Sequence, residues 1–272
     1  MSRFRLDRGS VLHASVEADR VAMVKLGRRG EVLEQICVAI ALDPGQPTSA
    51  LQSLSLLLSA APWRGATRRV VVSDRLVRYL VLPRPLGLRS LAELQLAVTD
   101  HLAQAFDLDG GQWRILIDAP AFTPRVVACA LPLALLEALE ATFAQGGPCL
   151  SIRPYLVAES ARLASRLPAR GWFASATRDY LAILGVRQGG PRSIRILPGA
   201  YGDARIIAAT VARERLLQGD DEEPGDGQTL FSGWLTHEAG DAPLTRLDLA
   251  EWESQSRAWS HGYRMALAGV WP

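Results

Sequence analysis

The chain has 272 residues, 49% of them hydrophobic and 21% charged, and its formal net charge is +2. This composition excludes a disordered chain and suits a globular protein that is large enough for two domains. A charge so close to balance gives no broad basic field, so we expect no nucleic-acid partner.

The first third of the chain predicts a small mixed sheet. Strands are predicted over residues 11–16, 21–26 and 32–42, and Gly27-Arg28-Arg29-Gly30 is a hairpin signal between the last two. A helix over residues 49–60 follows, with leucines on one face, and then a strand at residues 70–72. The predicted order is therefore strand, strand, strand, helix, strand.

The stretch 68–83 predicts where the chain leaves this sheet. Its apolar runs at residues 70–72 and 76–82 are separated by the polar corner Ser73-Asp74-Arg75. Pro83 and Pro85 end the second run, because proline has no amide donor for a sheet. A helix over residues 90–106, with Ser90 and Glu93 as a capping box, precedes strands at residues 113–118 and 126–131. We interpret residues 75–131 as a small inserted subdomain.

The second half of the chain repeats the opening order. Helices at residues 133–143 and 155–167, with a short strand at residues 150–152 between them, lead to a linker at residues 168–171. Strands at 172–177, 180–187 and 193–197, a helix at 203–218 and a strand at 229–235 then follow. This repeat of element order predicts an internal duplication, with domains at 1–167 and 168–272.

Residue types that carry chemistry are scattered through the sequence. Ser73 and Asp74 with His101 could suggest a hydrolase, but the chain has no Gly-x-Ser-x-Gly elbow. The isolated histidines and the acidic run at residues 220–223 lack the spacing of a metal site; the histidines are His13, His237 and His261. We therefore predict no catalytic residue and no metal ligand.

The cysteines and the apolar runs indicate in which cellular compartment the protein lies. Cys37, Cys129 and Cys149 are widely spaced within apolar runs, which predicts buried free thiols in a reducing environment. The N-terminus does not resemble a signal peptide, and the longest apolar runs fall well short of the roughly 20 residues of a membrane span. We expect a soluble cytoplasmic protein.

A family resemblance rests on four features. Residues 71–83 read VVSDRLVRYLVLP, an acid-bearing helix follows at Glu93, and paired strands lie around Ile115 and Val127. With the small-residue tail at residues 263–269, the pattern resembles the actin-like PilM and GspL cytoplasmic-domain family of type IV pilus and type II secretion platforms. The resemblance implies two RNase H-like halves, the first carrying a small ferredoxin-like α/β insertion.

The chain departs from the nucleotide-binding members of that group. In those proteins the first hairpin of each half carries an Asp-x-Gly that approaches phosphate and metal. Here residues 13–17 read His-Ala-Ser-Val-Glu and residues 174–177 read Ala-Ser-Ala-Thr, so neither supplies glycine and carboxylate together. The segment that corresponds to the family's glycine-rich adenosine-binding segment reads Phe231-Ser232-Gly233-Trp234, where Trp234 would crowd a bound adenine ring. We expect no cofactor.

The resemblance implies a non-catalytic adaptor, held at the inner membrane through a platform component that it binds. The basic surface predicted for that partner is Arg75, Arg78, Arg84 and Arg89, for which the alternative is solubilising charge. A nucleotide-binding actin-like ATPase and a hydrolase of unknown substrate are the rival functions. The oligomeric state stays open.

Overall fold

A computed structural model describes residues 9–88, 90–119, 124–219, 228–233, 235, 244–247 and 261–268. The strands are β1 (Val11–Val16), β2 (Arg20–Leu26), β3 (Val32–Ala39), β4 (Thr67–Val72), β5 (Arg78–Pro83), β6 (Trp113–Asp118), β7 (Arg125–Pro132), β8 (Cys149–Pro154), β9 (Arg170–Ala176), β10 (Tyr180–Arg187), β11 (Gly190–Pro198), β12 (Gln228–Gly233) and β13 (Thr245–Arg246). The helices are α1 (Thr48–Ser59), α2 (Leu91–Phe106), α3 (Leu133–Ala144), α4 (Tyr155–Arg162), α5 (Ala204–Leu217) and α6 (His261–Leu267). Each helix in these ranges is too short or too polar to span a lipid bilayer.

The first sheet has the strand order β3-β2-β1-β4-β8. β1 and β2 are buried on both faces because helices cover each side. On one face Leu12, Ala14 and Val16 pack into the core formed with α1 and α3. On the other face α6 lies against β1 and β2, where Leu267 packs on Val24.

The second sheet repeats this arrangement, with the order β11-β10-β9-β12-β13. In both sheets the first three strands pair antiparallel and the fourth pairs parallel to the first. α5 covers one face, and the other face packs on α4 and the first sheet around Phe173 and Tyr180. The predicted duplication of two RNase H-like halves is confirmed. The predicted domain limits stay a prediction.

The insertion forms a third sheet, ordered β5-β7-β6, with α2 on one face. Its elements follow the chain as β5, α2, β6, β7, which are the first four of the ferredoxin-like order. The Ser90 hydroxyl accepts a 3.1 Å hydrogen bond from the Glu93 amide, as the capping pattern predicts. Leu94, Val98 and Leu102 of α2 form the core with β7.

Arg68 of β4 is fully buried and binds only neutral acceptors. Its Nη1 donates to the carbonyls of Phe143 at 2.9 Å and Gly147 at 2.8 Å. Longer contacts of 3.5 Å reach the carbonyls of Leu58 and Trp63. Leu58 and Phe143 lie in the last turns of α1 and α3, where free carbonyls and the helix dipole favour a cation. Arg68 thus holds the ends of two helices against β4.

Some expected details differ in the structure. Residues 74–76, of which Leu76 was expected in a strand, form a 3-10 turn before β5, and the helix predicted over 155–167 ends at Arg162. Cys37 is exposed, contrary to the predicted burial, because β3 is the outermost strand of its sheet. Cys129 and Cys149 are half-buried.

Candidate functional site between the two sheets

The equivalent hairpin turns of the two sheets face each other. Between β9 and β10, Arg178 forms an ion pair with Asp19, which lies in the turn between β1 and β2. Asp179 of the same turn accepts a hydrogen bond of 3.1 Å from Nη1 of Arg75. We call these two contacts, Asp19–Arg178 and Arg75–Asp179, the turn ion pairs. They join the two halves of the chain at the positions where the fold brings the paired turns together.

Asp19 is further held by its neighbour. Arg20 donates to the Asp19 carboxylate from Nη2 at 2.8 Å and from Nε at 3.1 Å. The hydrogen bonds from Arg20 and Arg178 hold the pKa of Asp19 well below its usual range. Asp19 is therefore an ionised, doubly paired carboxylate over the working pH range.

Glu17 and His261 lie buried beside these pairs, and Oε1 of Glu17 is 3.9 Å from Nε of Arg20. Oε1 of Glu17 and both ring nitrogens of His261 are buried with no hydrogen-bond partner among the described residues. Burial raises the pKa of Glu17 to about 7, with Arg20 opposing the shift. Burial lowers the pKa of His261 to about 4. Both groups therefore favour their neutral forms.

α6 packs beside the site, on the face of the first sheet opposite α1 and α3. Ser15 of β1 donates a 2.7 Å hydrogen bond to the carbonyl of Gly262. A Cβ at Gly262 would lie only 2.8 Å from the Cβ of Ala22, so a glycine lets the helix approach the sheet this closely. The predicted small-residue closing helix is present at residues 261–267, and Gly269 lies outside the described residues.

A buried carboxylate lies deeper between the sheets, at Asp74 in the corner after β4. Asp74 accepts hydrogen bonds from the hydroxyls of Tyr79 at 2.5 Å and Tyr180 at 3.1 Å. The amide of Leu156, in the first turn of α4, donates to both of its oxygens at 3.0 and 3.1 Å. Burial raises the pKa of Asp74 to about 7 against these hydrogen bonds, which lower it. One side chain thus joins the first sheet, the insertion, α4 and the second sheet.

Glu159 of α4 makes a similar set of contacts to the second sheet. It is fully buried, and its carboxylate accepts from Ser175 of β9, from Ser232 of β12 at 2.7 Å and from Tyr155 at 3.2 Å. We call Asp74 and Glu159 with these donors the carboxylate network. Among the described residues all its donors are hydroxyls or amides, so neutral groups hold the two buried carboxyl groups there.

The arginines predicted to bind a partner are distributed along β5. Arg75 and Arg78 line a cleft of about 430 Å³ between the insertion and β11, to which Arg195 also contributes. Arg78 lies over the ring of Trp113, with 6.0 Å from Cζ to the ring centroid. Arg84 follows the opposite end of β5, roughly 20 Å away for a strand of this length, and donates to the carbonyl of Ala119 at 3.0 Å. Arg89 lies outside the described residues.

The structure does not build the hydrolase site that Ser73, Asp74 and His101 could suggest. Asp74 is fully occupied by Tyr79, Tyr180 and Leu156. His101 is exposed on α2, with Nδ1 2.7 Å from the carbonyl of Ala97.

No set of three or more potential metal ligands is found in the part of the chain that the structure describes. Burial lowers the pKa of His13 to about 4, with Arg69 adding to the shift. His237, Trp234 and the acidic run at residues 220–223 lie outside the described residues.

Sequence reasoning missed the turn ion pairs and the carboxylate network. The sequence does contain a signal for the turn ion pairs. The two equivalent turns read Asp19-Arg20 and Arg178-Asp179, so each turn carries an acid and a base that can pair with those of the other. Glu159 carried no such signal, since a single acid in a short helix predicts a solvent-exposed position.

The sequence matches no protein-family model and no curated protein. Solved structures do share the arrangement. PilM, in the PilM-PilN type IV pilus biogenesis complex, superposes with a TM-score of 0.66 at 15% identity, covering 96% of this chain and 99% of that one. The fold is that of the actin-like proteins.

Two further structures support this assignment of the fold. The cytoplasmic domain of EpsL, an inner membrane component of the type II secretion system of Vibrio cholerae, gives a TM-score of 0.54 at 13% identity, with 90% and 88% coverage of this chain and that one. A Bacteroides thetaiotaomicron protein with an actin-like ATPase fold and unknown function gives 0.57 at 11% identity, with 99% coverage of both chains. The predicted resemblance to PilM and the GspL/EpsL cytoplasmic domain is confirmed at the level of fold.

Proposed function

We propose that the chain is a non-catalytic cytoplasmic adaptor that binds a membrane-anchored component of a type IV pilus-like or type II secretion-like assembly. The observation that carries the proposal is the Asp19–Arg178 ion pair between the equivalent hairpin turns. The family resemblance places nucleotide phosphates and their metal between these turns in nucleotide-binding members. Here Asp19 and Arg178 form an ion pair between the two turns.

The electrostatics of the junction favour the same function. The carboxylates of Asp19 and Asp179 are paired there with the guanidinium groups of Arg20, Arg178 and Arg75. A triphosphate would have to break these pairs before it could bind. Neither turn contains the glycine that lets a backbone approach a phosphate closely.

The partner side of the proposal rests on the cleft beside β5. Arg75, Arg78 and Arg195 line it, and its one carboxyl group, Asp74, is fully buried. Arg75 is paired with Asp179, and Arg195 with Glu214. Arg78 lies over Trp113 and is the guanidinium that we assign to a partner's carboxylates, which such groups bind in a directional way. PilM is described in a complex with PilN, and EpsL as an inner membrane component, which motivates a membrane-anchored partner for this chain.

The first experiment is thermal unfolding of the full chain with and without Mg-ATP. A ligand bound with a micromolar dissociation constant adds about 2.7 kcal/mol at a hundredfold excess, enough to raise the Tm visibly. We expect an unchanged Tm. A clear rise with Mg-ATP but not with Mg²⁺ alone would overturn the non-catalytic function and favour the nucleotide-binding ATPase.

The second experiment is capture of proteins encoded beside the gene, each purified and tested separately. Arg78→Glu should weaken capture at least about tenfold, because it replaces attraction of an acidic segment by repulsion. Arg84→Glu tests the opposite end of β5. Arg114→Glu is the matched control, since Arg114 is exposed on β6 at the other edge of the insertion sheet. Equal capture by all variants of unchanged Tm would show that the partner surface lies elsewhere.

A further inference from the structure

β11 is the outermost strand of the second sheet and leaves one side of its backbone open. Within the described residues it pairs only with β10. In an edge strand, alternate residues present an amide and a carbonyl outward, which is a template for another strand. Pro191 and Pro198 bound this edge, and the carbonyl of Arg192 already accepts a 3.4 Å hydrogen bond from Arg125. The edge therefore comprises residues 193–197, which we call the β11 edge.

A cleft lies on each face of the β11 edge. On the α5 side a cleft of about 460 Å³ is lined by Arg195 and Leu197 of β11 and by Ile206, Arg213 and Leu217 among the residues of α5. On the insertion side the 430 Å³ cleft described above is lined by β11 residues together with Arg78 and Phe106.

The register of β11 on β10 shows that its side chains alternate between the two faces of the sheet. Arg195 pairs with Ile183, which belongs to the core under α5. Ile196 pairs with Ala182, which belongs to the core between the two sheets. A strand added beside β11 would alternate in the same way, sending successive side chains into opposite clefts.

The charges around both clefts indicate which side chains an added strand should carry. Arg78 borders one cleft, Arg213 the other, and Arg195 both. The only acids lining them, Asp74 and Glu214, are 0% and 5% exposed, and Glu214 lies 3.5 Å from Arg195. Ile206 and Leu217 are 51% and 64% exposed, so apolar surface adjoins the arginines. An exposed arginine on the edge also disfavours indiscriminate strand pairing.

We propose that the β11 edge is the docking site for an extended partner segment in which apolar and acidic residues alternate, added to the second sheet as a sixth strand. Backbone hydrogen bonds hold the segment, and its side chains enter the two clefts. This inference rests on the proposed adaptor function and names the chemistry and binding mode of its partner.

The test uses the full chain and a labelled synthetic peptide of about eight residues in which valine and glutamate alternate, long enough to span the β11 edge. Binding is followed by fluorescence anisotropy, and a peptide of alternating valine and lysine is the counterpart. The glutamate peptide should bind at least about tenfold more tightly, because arginines line both clefts. Amide hydrogen exchange should slow at residues 193–197 when it binds.

Charge reversal locates the binding site. Arg78→Glu and Arg213→Glu, one for each cleft, should each weaken binding of the glutamate peptide about tenfold, while Arg114→Glu leaves it unchanged. Arg78 and Arg213 are exposed, so the variants should keep their Tm. No peptide binding, or protection confined to other strands or to α2, would overturn the strand-docking mode. The capture experiment would still decide the adaptor function, because it does not depend on this peptide.

Discussion

The two halves of the molecule are joined by carboxylates in two different environments. The turn ion pairs lie near the surface, where the side chains of Asp19 and Arg178 are 53% and 48% exposed. The carboxylate network lies between the sheets, where Asp74 and Glu159 are fully buried. The first pairs charge with charge in water, and the second surrounds its carboxyl groups with hydroxyl donors and, at Asp74, also with an amide.

This difference indicates separate roles for the two sets of contacts. Exposed ion pairs contribute little because water screens them and ordering two long side chains costs entropy. A buried carboxyl group without hydrogen-bond partners destabilises the fold, and so do its buried donors when they lose their acceptor. The carboxylate network should therefore fix the orientation of the two sheets, whereas the turn ion pairs occupy the space between the turns without contributing much stability.

The largest effect that we expect comes from Asp74→Ala. The substitution leaves the Tyr79 and Tyr180 hydroxyls and the Leu156 amide buried without their acceptor, which should lower the free energy of unfolding by about 3 kcal/mol. Urea denaturation gives the free energy of unfolding of this variant and of Asp179→Ala, which removes a carboxylate from the turn ion pairs. An Asp74→Ala loss no larger than that of Asp179→Ala would show that burial does not separate the two regions.

An intermediate effect concerns pH. Burial raises the pKa values of Asp74 and Glu17 to about 7, so these groups lower stability as pH rises between about 4.5 and 7, where only the unfolded state ionises. Burial lowers the pKa values of His13 and His261 to about 4, so they lower stability as pH falls from 6.5 to about 4. The opposing contributions should leave the free energy of unfolding nearly level between about pH 4.5 and 6.5.

Single substitutions should tilt this profile in opposite directions. Asp74→Asn removes one contribution that falls with pH, so its free energy of unfolding should rise by up to about 1.4 kcal/mol per pH unit in this window. His13→Gln should produce a falling profile. Urea denaturation at half-unit pH steps measures both slopes, and a level profile for Asp74→Asn would show that Asp74 does not titrate as its burial requires.

The smallest effect is expected at the turns. Arg178→Ala should cost less than about 1 kcal/mol in dilute buffer, and the difference from the unmodified chain should shrink in molar salt. Unfolding followed at two salt concentrations provides the measurement. A loss comparable to that of Asp74→Ala and insensitive to salt would mean that the turns also hold the sheets together.

The order of strands and helices along each half of the chain could be predicted because local patterns determine it. Apolar alternation marks β1 and β2, and the glycines at residues 27 and 30 mark the hairpin that follows. The repeat of these patterns after residue 170 then predicts the second sheet. The Ser90 cap of α2 was equally local, since donor and acceptor lie three residues apart.

The carboxylate network could not be predicted, because its contacts are distant in sequence. Asp74 was identified as part of a polar corner, but its burial depends on Leu156 and Tyr180, which lie 82 and 106 residues further along the chain. Periodicity reports which face of an element is apolar, and it does not report which polar side chain another element will cover. For the same reason the spread of the predicted arginines along β5 became visible only in the structure.

The position of the insertion has a consequence for how such a chain can diversify. It interrupts the connection from β4 to α3, and β4 still pairs with β1 and with β8 on its two sides. Arg68, just before the interruption, binds carbonyls of residues 143 and 147 just after it. The first sheet is therefore complete without the inserted residues. Selection could lengthen, shorten or replace the insertion, and with it the recognition of a partner, while the parent architecture is inherited unchanged.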